Sequence, residues 1–558
     1  MSHQSPEDLV DHWKGAEAPL LPLLHAFQER DGYICEQALE AISRGLRIPL
    51  ADLFASVSFY HHLTLEPGAW DAPRVCDGPV CRQKGSEALL NALPGARPMA
   101  CSGRCDDPIP VLRRGQLTVG LEADGLKARS SPLPPPPADG VEECVFAKIR
   151  EPHRATLEGY RATGGFRGLA WALEAGPDAI LERVEQSGLR GRGGAGFPTA
   201  AKWRAVKNAE GEPKVVVCNA DEGEPGCFKD RALLDHDPWA VLEGMLCAAL
   251  ATGASLGFIY LRYEYPETFT TLEAVLEEAH REGILGKDAL GPGRPFRLHL
   301  RRGAGAYICG EETSLLNSLE GKHPFPRNRP PYPVTHGYRD KPTAVNNVET
   351  LASVPPILRE GAEWYRGLGL GEHAGTKLIS LSGDIRRPGN YEVPLGLPLA
   401  TLLEEWAGGP PEGRRFQAVT MAGLSGGFLD AKDIAEVTLD DPSIRARGSF
   451  LGAGGIIVYD DSRSMRDAAR DAMAFFADES CGKCFPCRIG TQRLLERLEG
   501  SAGPTVEAEW VDEVQSIGEV MQQASACGLG QAAPLVTESL IRRFPGDLGL
   551  KHLGADES

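Results

Sequence analysis

Three cysteines near the C-terminus, Cys481, Cys484 and Cys487, follow a C-x2-C-x2-C spacing that places three thiolates on one compact loop. This is the local half of the spacing that [4Fe–4S] proteins use, so a fourth ligand must come from elsewhere. We expect Cys527, because the intervening segment has helical periodicity and could return the chain to the cluster. The pattern favours a tetranuclear cluster, with zinc or free redox thiols as alternatives.

A second group of four cysteines lies near the N-terminus, in the pairs Cys76-x4-Cys81 and Cys101-x3-Cys105. We expect both pairs on loops, the first after a strand at 74–76 and the second after a helix at 85–93. The unequal spacing suits a [2Fe–2S] cluster better than a zinc ribbon, which repeats x2. Six cysteines remain, and we interpret most of them as small buried apolar residues: Cys35, Cys144, Cys218, Cys227, Cys247 and Cys309.

A glycine-rich stretch at residues 191–197 satisfies the G-x-G-x-x-G pattern. Its glycines are Gly191, Gly193 and Gly196. The Rossmann fingerprint requires a preceding strand, but residues 177–186 predict a helix, so a conventional dinucleotide site is the weaker interpretation. Glycines still let backbone N–H groups approach a phosphate or a flavin closely. Three cations lie near this loop: Arg190, Arg192 and Lys202. A purely structural loop is the alternative.

Further polar loops follow predicted strands. The strand at 214–217 leads into residues 219–226, which carry three carboxylates at an edge where open α/β sheets bind ligands. We expect these carboxylates to be exposed, and a solvated acidic turn is the alternative. A glycine-rich turn at 302–312 follows a strand at 296–300 and opens a helix at 313–319. Asn346 and Asn347 precede a helix and suit the edge of a ring or ribityl hydroxyls.

The elements that position these motifs must belong to several domains, because 558 residues predict three or four. A net charge of −18 argues against nucleic acid and anionic membranes as partners. The N-terminus has no secretory signal, so we expect a cytoplasmic protein whose 14 cysteines bind metal rather than form disulfides. Residues 244–261 are uncharged, but small residues divide them into a helix and a strand, which argues against membrane insertion.

Taken in order, the motifs of residues 150 to 545 resemble the NADH-binding flavoprotein of respiratory complex I, the 51 kDa family. The matching segments are 191–198, 219–231, 303–313, 346–350, 480–488 and 527–531. The first 125 residues are similar to the thioredoxin-like [2Fe–2S] subunit, the 24 kDa family. Three departures stand out. Only 19 residues separate the N-terminal cysteine pairs, and Arg104 replaces a small or apolar residue. Tyr263 replaces a glycine, which either narrows the nucleotide pocket or is a variation of a sister branch of the family.

The resemblance implies a multidomain α/β fold. Its parts are a helical bundle at 1–70, a thioredoxin-like [2Fe–2S] domain at 71–129, a proline-rich linker at 130–140, a Rossmann-like FMN/NADH domain at 141–372, a β-grasp (SLBB-like) domain at 373–462 and a helical bundle with the [4Fe–4S] cluster at 463–558.

The resemblance also implies site residues for FMN and NAD(H). The FMN set is Gly191, Gly193, Gly194, Lys202, Asn219, Asp221, Glu222, Tyr260, Glu264, Asn346 and Asn347, and NADH is expected beside Glu224 and Phe197. Around them we also expect Arg192, Gly196, Tyr307, Gly310 and Glu311 to contact a cofactor. Glu222 and Glu224 are expected to act in the reaction by disfavouring negative charge on the reduced nucleotide or flavin.

The function implied is that of a diaphorase, in which hydride passes between NAD(H) and FMN and single electrons pass to iron–sulfur clusters. The fusion of both modules resembles the β subunit of NAD-dependent formate dehydrogenases. We therefore expect a molybdenum or tungsten catalytic subunit with further iron–sulfur clusters as partner. A diaphorase subunit of an NAD-reducing hydrogenase and an NADH-input subunit of complex I are the alternatives. A redox-sensing or scaffold protein with structural clusters is a different class that we also consider.

Overall fold

The computed structural model describes residues 5–129, 131–500, 506 and 508–550. Its N-terminal part is a bundle of four helices: α1 (Pro6–Trp13), α2 (Leu20–Asp31), α3 (Glu36–Leu46) and α4 (Leu50–Phe59). Ser5 caps α1 by accepting the backbone N–H of Asp8, and α2 ends at Gly32, whose φ of 80° favours glycine. The apolar faces of these helices pack into one core with part of the central sheet.

The thioredoxin-like domain follows. It contains β1 (Arg74–Cys76), α5 (Pro79–Gln83), α6 (Ser86–Ala92), β2 (Arg97–Met99), β3 (Ile109–Arg113), β4 (Gln116–Gly120) and β5 (Lys127–Ala128). The strand order is β2-β1-β3-β4-β5, with only β1 and β2 parallel. Cys81 lies in the short helix α5 and not on a loop as predicted, because Pro79 at the first helical position starts a helix there.

The linker at 131–140 has no helix or strand, and the predicted first linker residue, Ser130, lies outside the described residues.

The central domain contains α7 (Leu157–Ala162), α8 (Arg167–Ala175), α9 (Pro177–Ser187), α10 (Thr199–Asn208), β6 (Val215–Ala220), α11 (Lys229–His236), α12 (Pro238–Thr252), β7 (Leu256–Leu261), α13 (Pro266–Arg281), β8 (Arg297–Arg302), α14 (Glu312–Leu319), α15 (Pro333–His336), β9 (Thr343–Asn347), α16 (Val348–Glu360) and α17 (Ala362–Gly367).

The central sheet has the order β8-β7-β6-β9, and all its strands are parallel. Its carboxyl ends therefore meet at one edge, where α/β sheets bind ligands. Residues alternate between two cores: Phe258 and Tyr260 pack with the N-terminal bundle, whereas Ile259 and Leu261 pack with the helices of the opposite face. The uncharged run at 244–261 is the buried end of α12 followed by β7, as predicted. Among the described residues, no helix is long and apolar enough to cross a membrane.

The β-grasp domain has five strands in the order β11-β10-β14-β12-β13. Its elements are β10 (Thr376–Gly383), β11 (Gly389–Pro394), β12 (Phe416–Thr420), β13 (Phe428–Asp430), α18 (Ala431–Glu436), α19 (Asp441–Arg445) and β14 (Gly455–Asp460). The predicted hairpin is β10 paired with β11. The helix predicted at 399–407 is a π-helical turn at Thr401–Trp406, and it ends before Gly408, whose φ is 80°.

The C-terminal helices are α20 (Met465–Asp478), α21 (Phe485–Gly500), α22 (Ala508–Ala524), α23 (Gly528–Ala532) and α24 (Pro534–Arg543). Their apolar faces share a core with Cys101 and Cys105 of the thioredoxin-like domain and with Phe428 of the β-grasp domain. The antiparallel pair α21 and α22 is the helical excursion that the sequence predicts between Cys487 and Cys527. The predicted fold class is confirmed.

Candidate functional site

The four C-terminal cysteines line one small cavity, whose other walls include Ile308, Pro326 and Leu529. Cys481 and Cys484 lie on the loop before α21, Cys487 in its first turn, and Cys527 at the N-cap of α23. Burial raises the pKa of the Cys487 thiol to about 12 and that of Cys527 to about 11. Such thiols stay protonated unless metal replaces the proton, so this donor set fits a tetranuclear cluster.

The four N-terminal cysteines also converge, and all of them are buried. The Sγ atoms of Cys101 and Cys105 are 3.7 Å apart, and the backbone N–H of Ser102 donates to Cys76 Sγ at 3.4 Å. Hydrogen bonds from the thiols of Cys101 and Cys81 hold the pKa of Cys76 well below its usual range. A thiol set that already stabilises one thiolate fits a [2Fe–2S] cluster.

The turn that carries Cys101 and Cys105 is held by buried side chains of the central domain. Arg262 donates to the carbonyl of Cys101 at 2.6 Å, and Arg231 donates to the carbonyl of Gly103 at 2.9 Å and to Asp106 at 2.8 Å. Arg104 is also buried, and it donates to Glu267 at 2.7 Å. The departure at Arg104 therefore serves the contact between the thioredoxin-like and central domains.

Several predicted flavin-binding residues meet at the carboxyl edge of the central sheet. Asn219 ends β6 and donates to the carbonyl of Gly310 at 2.8 Å. Asn347 ends β9 and donates to Asp230 at 2.5 Å, while neighbouring Asn346 accepts from Trp203 at 2.8 Å. The glycine loop lies against this edge, since a Cβ on Gly193 would stand 3.0 Å from the Cβ of Asn347. Gly193 and Gly194 are exposed, so their backbone is open to a ligand.

An unsatisfied buried atom at this edge tests whether FMN fits. Asp221 Oδ2 is buried and has no hydrogen-bond partner among the described residues, and burial raises the pKa of Asp221 well above its usual range. A Cβ on Gly310 would approach the carbonyl of Asp221 to 3.1 Å, so glycine leaves that space free. Lys202 lies nearby and donates to the carbonyl of Val345 at 2.9 Å. The Asp221 carboxyl group therefore lies beside the open backbone of Gly310, and this arrangement fits the hydroxyl-rich ribityl chain of FMN.

The carboxylates of Glu222 and Glu224 are not exposed, so that prediction is wrong. Glu222 is 8% exposed and accepts the backbone N–H groups of Asp230 at 3.0 Å and Arg231 at 3.3 Å, and the Tyr265 hydroxyl at 3.1 Å. Burial, with the nearby Asp230, raises the pKa of Glu222 to about 7. The start of α11 covers the Glu222 carboxylate. The acidic composition of the loop gave no sign of this burial.

Glu224 is half-buried and makes four hydrogen bonds. Its carboxylate accepts the backbone N–H groups of Leu424 at 2.8 Å and Ser425 at 3.1 Å, and the Ser425 hydroxyl at 2.9 Å. The fourth donor is the Tyr307 hydroxyl. Sequence reasoning missed Leu424 and Ser425, because they lie two hundred residues away in the β-grasp domain.

The glycine loop at 191–197, the acidic loop at 219–226 and Asn346 and Asn347 border the region that we call the flavin-type crevice. The side chains of Arg192 and Glu311 bond to structural partners instead. Arg192 is buried and donates to the Tyr365 hydroxyl at 2.7 Å, so it is not the counter-charge that the sequence predicts. Glu311 caps α14 by accepting the backbone N–H groups of Thr313 and Ser314. In the glycine loop, Gly191 and Gly196 are half-buried and Phe197 is 53% exposed, which leaves an aromatic face open to solvent.

Tyr260 and Glu264 are buried at the carboxyl edge of the central sheet. The hydroxyl of Tyr260 bonds to Ser318 Oγ at 2.9 Å, and the residue is fully buried. Glu264 lies 3.1 Å from Arg262 Nε and 3.3 Å from His62 Nε2. Although burial alone would raise it, the charge of Arg262 and the hydrogen bond from His62 hold the pKa of Glu264 well below its usual range. Tyr260 is the sheet partner of Asn219, and Glu264 is close enough to Asp221 to raise the pKa of that carboxyl. Both residues therefore lie next to other predicted flavin ligands, and their role in binding stays a prediction.

Tyr263 does not narrow a nucleotide pocket. Its ring stacks on His62 at 4.5 Å and on His25 at 5.4 Å between centroids, and the Arg302 guanidinium lies 4.0 Å from its centre. The residue is 4% exposed and belongs to the core of the thioredoxin-like domain. The tyrosine that replaces glycine is thus a contact between N-terminal and central parts of the chain.

Tyr307 connects the acidic loop with the C-terminal cysteines. Besides its bond to Glu224, its backbone N–H donates to Glu479 at 2.9 Å, two residues before Cys481. Its ring packs edge-on against Phe475 of α20. The flavin-type crevice and the four-cysteine cavity are therefore joined through one residue.

Comparison with protein families identifies four segments. The matching descriptions are the Nuo51 FMN-binding domain at residues 184–356, the NADH-ubiquinone oxidoreductase-F iron–sulfur binding region at 467–550, the thioredoxin-like [2Fe–2S] ferredoxin at 7–107 and the SLBB domain at 378–429. With the NAD-linked relatives below, these matches confirm the predicted cofactors: FMN, NAD(H), a [4Fe–4S] cluster and a [2Fe–2S] cluster.

Individual proteins extend the likeness over nearly the whole chain. The F 2 subunit of NADH-quinone oxidoreductase from Rhizobium meliloti (strain 1021) is 44% identical and covers 72% of this chain and 96% of its own length. The alpha subunit of NAD-reducing hydrogenase HoxS of Cupriavidus necator is 34% identical, covering 96% and 92%. A crystal structure of NAD+-reducing [NiFe]-hydrogenase in the H2-reduced state has a TM-score of 0.81 at 32% identity, covering 96% and 94%.

Proposed function

Because the chain belongs to the family of NADH-binding FMN and iron–sulfur flavoproteins, fused here to a thioredoxin-like [2Fe–2S] domain, we propose that it is the diaphorase subunit of a multisubunit NAD-dependent oxidoreductase. The observation that carries this proposal is the link through Tyr307 between the acidic loop and the cysteine cavity. It places the flavin-type crevice next to an iron–sulfur acceptor, as electron transfer between them requires.

FMN supplies the exchange of a hydride with NAD(H) and of single electrons with iron–sulfur clusters. The chain supplies binding and orientation. The backbone of Gly193 and Gly194 is open to the cofactor, while the Asn346 and Asn347 amides and the Asp221 carboxylate line the edge of the sheet. Lys202 adds a cation near this edge that suits a phosphate. These roles are proposals for the residues named.

Glu222 and Glu224 place negative charge beside the site. A buried carboxylate acts strongly on a neighbouring charge, since few water molecules screen it. When ionised, these groups disfavour binding of the anionic reduced nucleotide and so help the product leave. Phe197, exposed at the rim, offers a ring on which the nicotinamide or adenine stacks.

Iron–sulfur clusters, when bound by the two sets of cysteines, would accept single electrons from FMN. We assign Cys481, Cys484, Cys487 and Cys527 to the tetranuclear cluster, and Cys76, Cys81, Cys101 and Cys105 to the binuclear one. Tyr307 lies between the crevice and the first cluster, which makes that cluster the direct acceptor. The binuclear cluster is a side relay on the other face of the acidic loop.

For the partner, we propose a molybdenum or tungsten formate dehydrogenase subunit with further iron–sulfur clusters, in the cytoplasm. Support comes from the fusion of both modules, in which the sequence resembles the β subunit of NAD-dependent formate dehydrogenases. The sequence has no unassigned motif that could hold a molybdopterin or a nickel–iron centre, which favours a separate catalytic subunit for either candidate. The second candidate is the catalytic part of an NAD-reducing hydrogenase. It is favoured by the likeness to hydrogenase alpha subunits over 96% of the chain.

The test has two arms. The chain loaded with its cofactors should reduce ferricyanide or a viologen with NADH, and it should not oxidise formate or hydrogen alone. The same chain, tagged and purified from its native host with bound partners, is then given formate or hydrogen as donor with NAD+ as acceptor. Absence of NADH-dependent dye reduction in FMN-loaded protein would overturn the diaphorase, and the donor that works identifies the partner.

A further inference from the structure

The β-grasp domain forms one wall of the acidic loop. The turn at 421–427 joins β12 to β13 and presents two backbone N–H groups and one hydroxyl to the Glu224 carboxylate. Oε1 accepts from Leu424 and Ser425, and Oε2 accepts from the Ser425 hydroxyl and from Tyr307. Three of the four donors to this carboxylate therefore come from another domain.

The fit of this turn leaves no free space. A Cβ on Gly423, whose φ is +72°, would lie 2.3 Å from the Cγ of Glu224. The backbone N–H of Gly423 donates to the carbonyl of Gly455 at 2.8 Å, which ties the turn to β14. A second loop of the same domain reaches the glycine loop, because a Cβ on Gly194 would stand 3.6 Å from the nitrogen of Ala453.

Other contacts fix the β-grasp domain against the central domain. Ser380 of β10 accepts the backbone N–H of Phe228 at 2.9 Å, just after the acidic loop. Lys377 of the same strand bonds to Glu349 at 2.5 Å, beneath the glycine loop. Both contacts are buried. Because β10 pairs with β14 and β14 pairs with β12, they also hold the turn at 421–427, which follows β12, in place against Glu224.

Resting on the proposed function, we propose that Ser425 is a positioning residue for the NAD(H) reaction. Its hydroxyl and backbone N–H, with that of Leu424, hold the Glu224 carboxylate oriented and charged beside the nucleotide. Release of the nucleotide then depends on the β-grasp domain as well as on the domain that binds it.

The electrostatics of Glu224 give this role a measurable signature. Burial raises the pKa of Glu224, and the hydrogen bonds from Tyr307, Leu424 and Ser425 offset part of that rise. The titratable groups that face it are the Tyr307 phenol and the Cys227 thiol, and burial raises the pKa of both well above their usual range, so both are neutral near pH 7. Removing the Ser425 hydroxyl therefore takes away one of the hydrogen bonds that lower the pKa of Glu224, so this pKa should rise.

The experiment compares Ser425→Ala with Ser425→Thr, which keeps a hydroxyl. The matched control is Ser462→Ala, whose hydroxyl also donates to a carboxylate in the β-grasp domain, that of Asp460 at 2.6 Å. The readouts on FMN-loaded protein are the dissociation constant of NADH in the absence of an acceptor and its dependence on pH. A purely structural role of Ser425 would not move the pH profile.

In Ser425→Ala, we expect NADH to bind up to about tenfold more tightly near neutral pH, the factor that corresponds to one pKa unit. The pH at which affinity weakens should rise by roughly one unit. Ser425→Thr and Ser462→Ala should behave like the parent protein. If Ser425→Ala does not fold, Tyr307→Phe removes another donor to the same carboxylate and should shift the profile in the same direction.

A pH profile and affinity in Ser425→Ala equal to those of the parent would overturn the proposal. So would an equal shift in Ser462→Ala, since the effect would then be general. Failure of NADH to bind or reduce the flavin in the parent protein contradicts the proposed function instead, so the two failures are distinguishable.

Discussion

The two iron–sulfur sites are built in opposite ways. The C-terminal site takes three of its four proposed ligands from one short stretch of sequence, and three of the four cysteines are half-exposed around a cavity. The N-terminal site is fully buried, and its cysteine turn is held by Arg231 and Arg262 of another domain. At the C-terminal site, three of the four cysteines come from one short stretch of sequence, and that stretch is also tied to distant residues through Glu479 and Lys483. The N-terminal cysteine site lies between two domains, so its geometry depends on residues far away in the sequence, such as Arg231 and Arg262.

The largest expected effect tests the independence of the C-terminal site. Cys484→Ala should remove the tetranuclear cluster completely, while FMN and the [2Fe–2S] cluster remain, because their sites share no ligand with it. Iron content and reduced-state EPR spectra measure this. The control is Cys35→Ala, which changes a half-buried cysteine of the N-terminal bundle. A mutant that kept its full [4Fe–4S] signal would show that the ligand assignment is wrong.

The next effect tests the dependence of the N-terminal site on its clamp. Arg231→Met removes the nearer of two buried cations beside the Asp106 carboxylate and leaves only Arg129, at 3.7 Å, so the unfolding free energy should fall by up to roughly 3–5 kcal/mol. Denaturant unfolding, followed together with the [2Fe–2S] EPR signal, measures both consequences. Arg204→Met is the control, since the Arg204–Glu185 pair is exposed and such pairs contribute roughly 0–1 kcal/mol. Equal losses in both variants would refute the clamp.

The sequence predicts the C-terminal site better than the N-terminal one for a physical reason. The C-x2-C-x2-C spacing and the helical period after it are local properties, and the structure brings Cys527 to the same cavity. The environment of Glu222 and Glu224 is not local, because the start of α11 and a β-grasp turn cover them. A loop rich in carboxylates has the composition of a solvated turn, so its burial was not predictable.

The same limit explains why the sequence left two interpretations of Tyr263 open. Its sequence neighbours belong to the nucleotide-binding motif, which suggested a place in the pocket. Its partners are His25 and His62, which lie about two hundred residues or more earlier in the chain. By contrast, the sequence predicted individual elements such as the helix at 177–186 and the strand–turn–helix at 296–319, because hydrophobic periodicity and glycine positions are local signals.

The smallest effect concerns pH. His25 of α2 is buried, and its Nε2 atom lies 2.9 Å from the carbonyl of Gly303. Burial, with Arg302, lowers the pKa of His25 to about 3. The unfolded chain binds a proton at the ordinary value near 6.5 and the folded chain does not, so stability is lost as the pH falls from about 6.5 towards 3. The slope from this group is at most about 1.4 kcal/mol per pH unit.

This loss should affect the N-terminal part first, since His25 contacts Tyr263 at that interface. Unfolding free energies between pH 7 and pH 5, roughly the range in which folded proteins are most stable, should show a shallower dependence in His25→Gln than in the parent. The [4Fe–4S] signal should respond less than the [2Fe–2S] signal. Identical slopes in both proteins would refute the assignment.

The most direct test of the account is an anaerobic titration of the chain, loaded with FMN and both clusters, with NADH. We expect the flavin absorbance to bleach and the [4Fe–4S] signal to appear, because the crevice and the cysteine cavity are joined through Tyr307. In Cys484→Ala the flavin should still bleach without that signal. A flavin that NADH does not reduce in fully loaded protein would contradict the account.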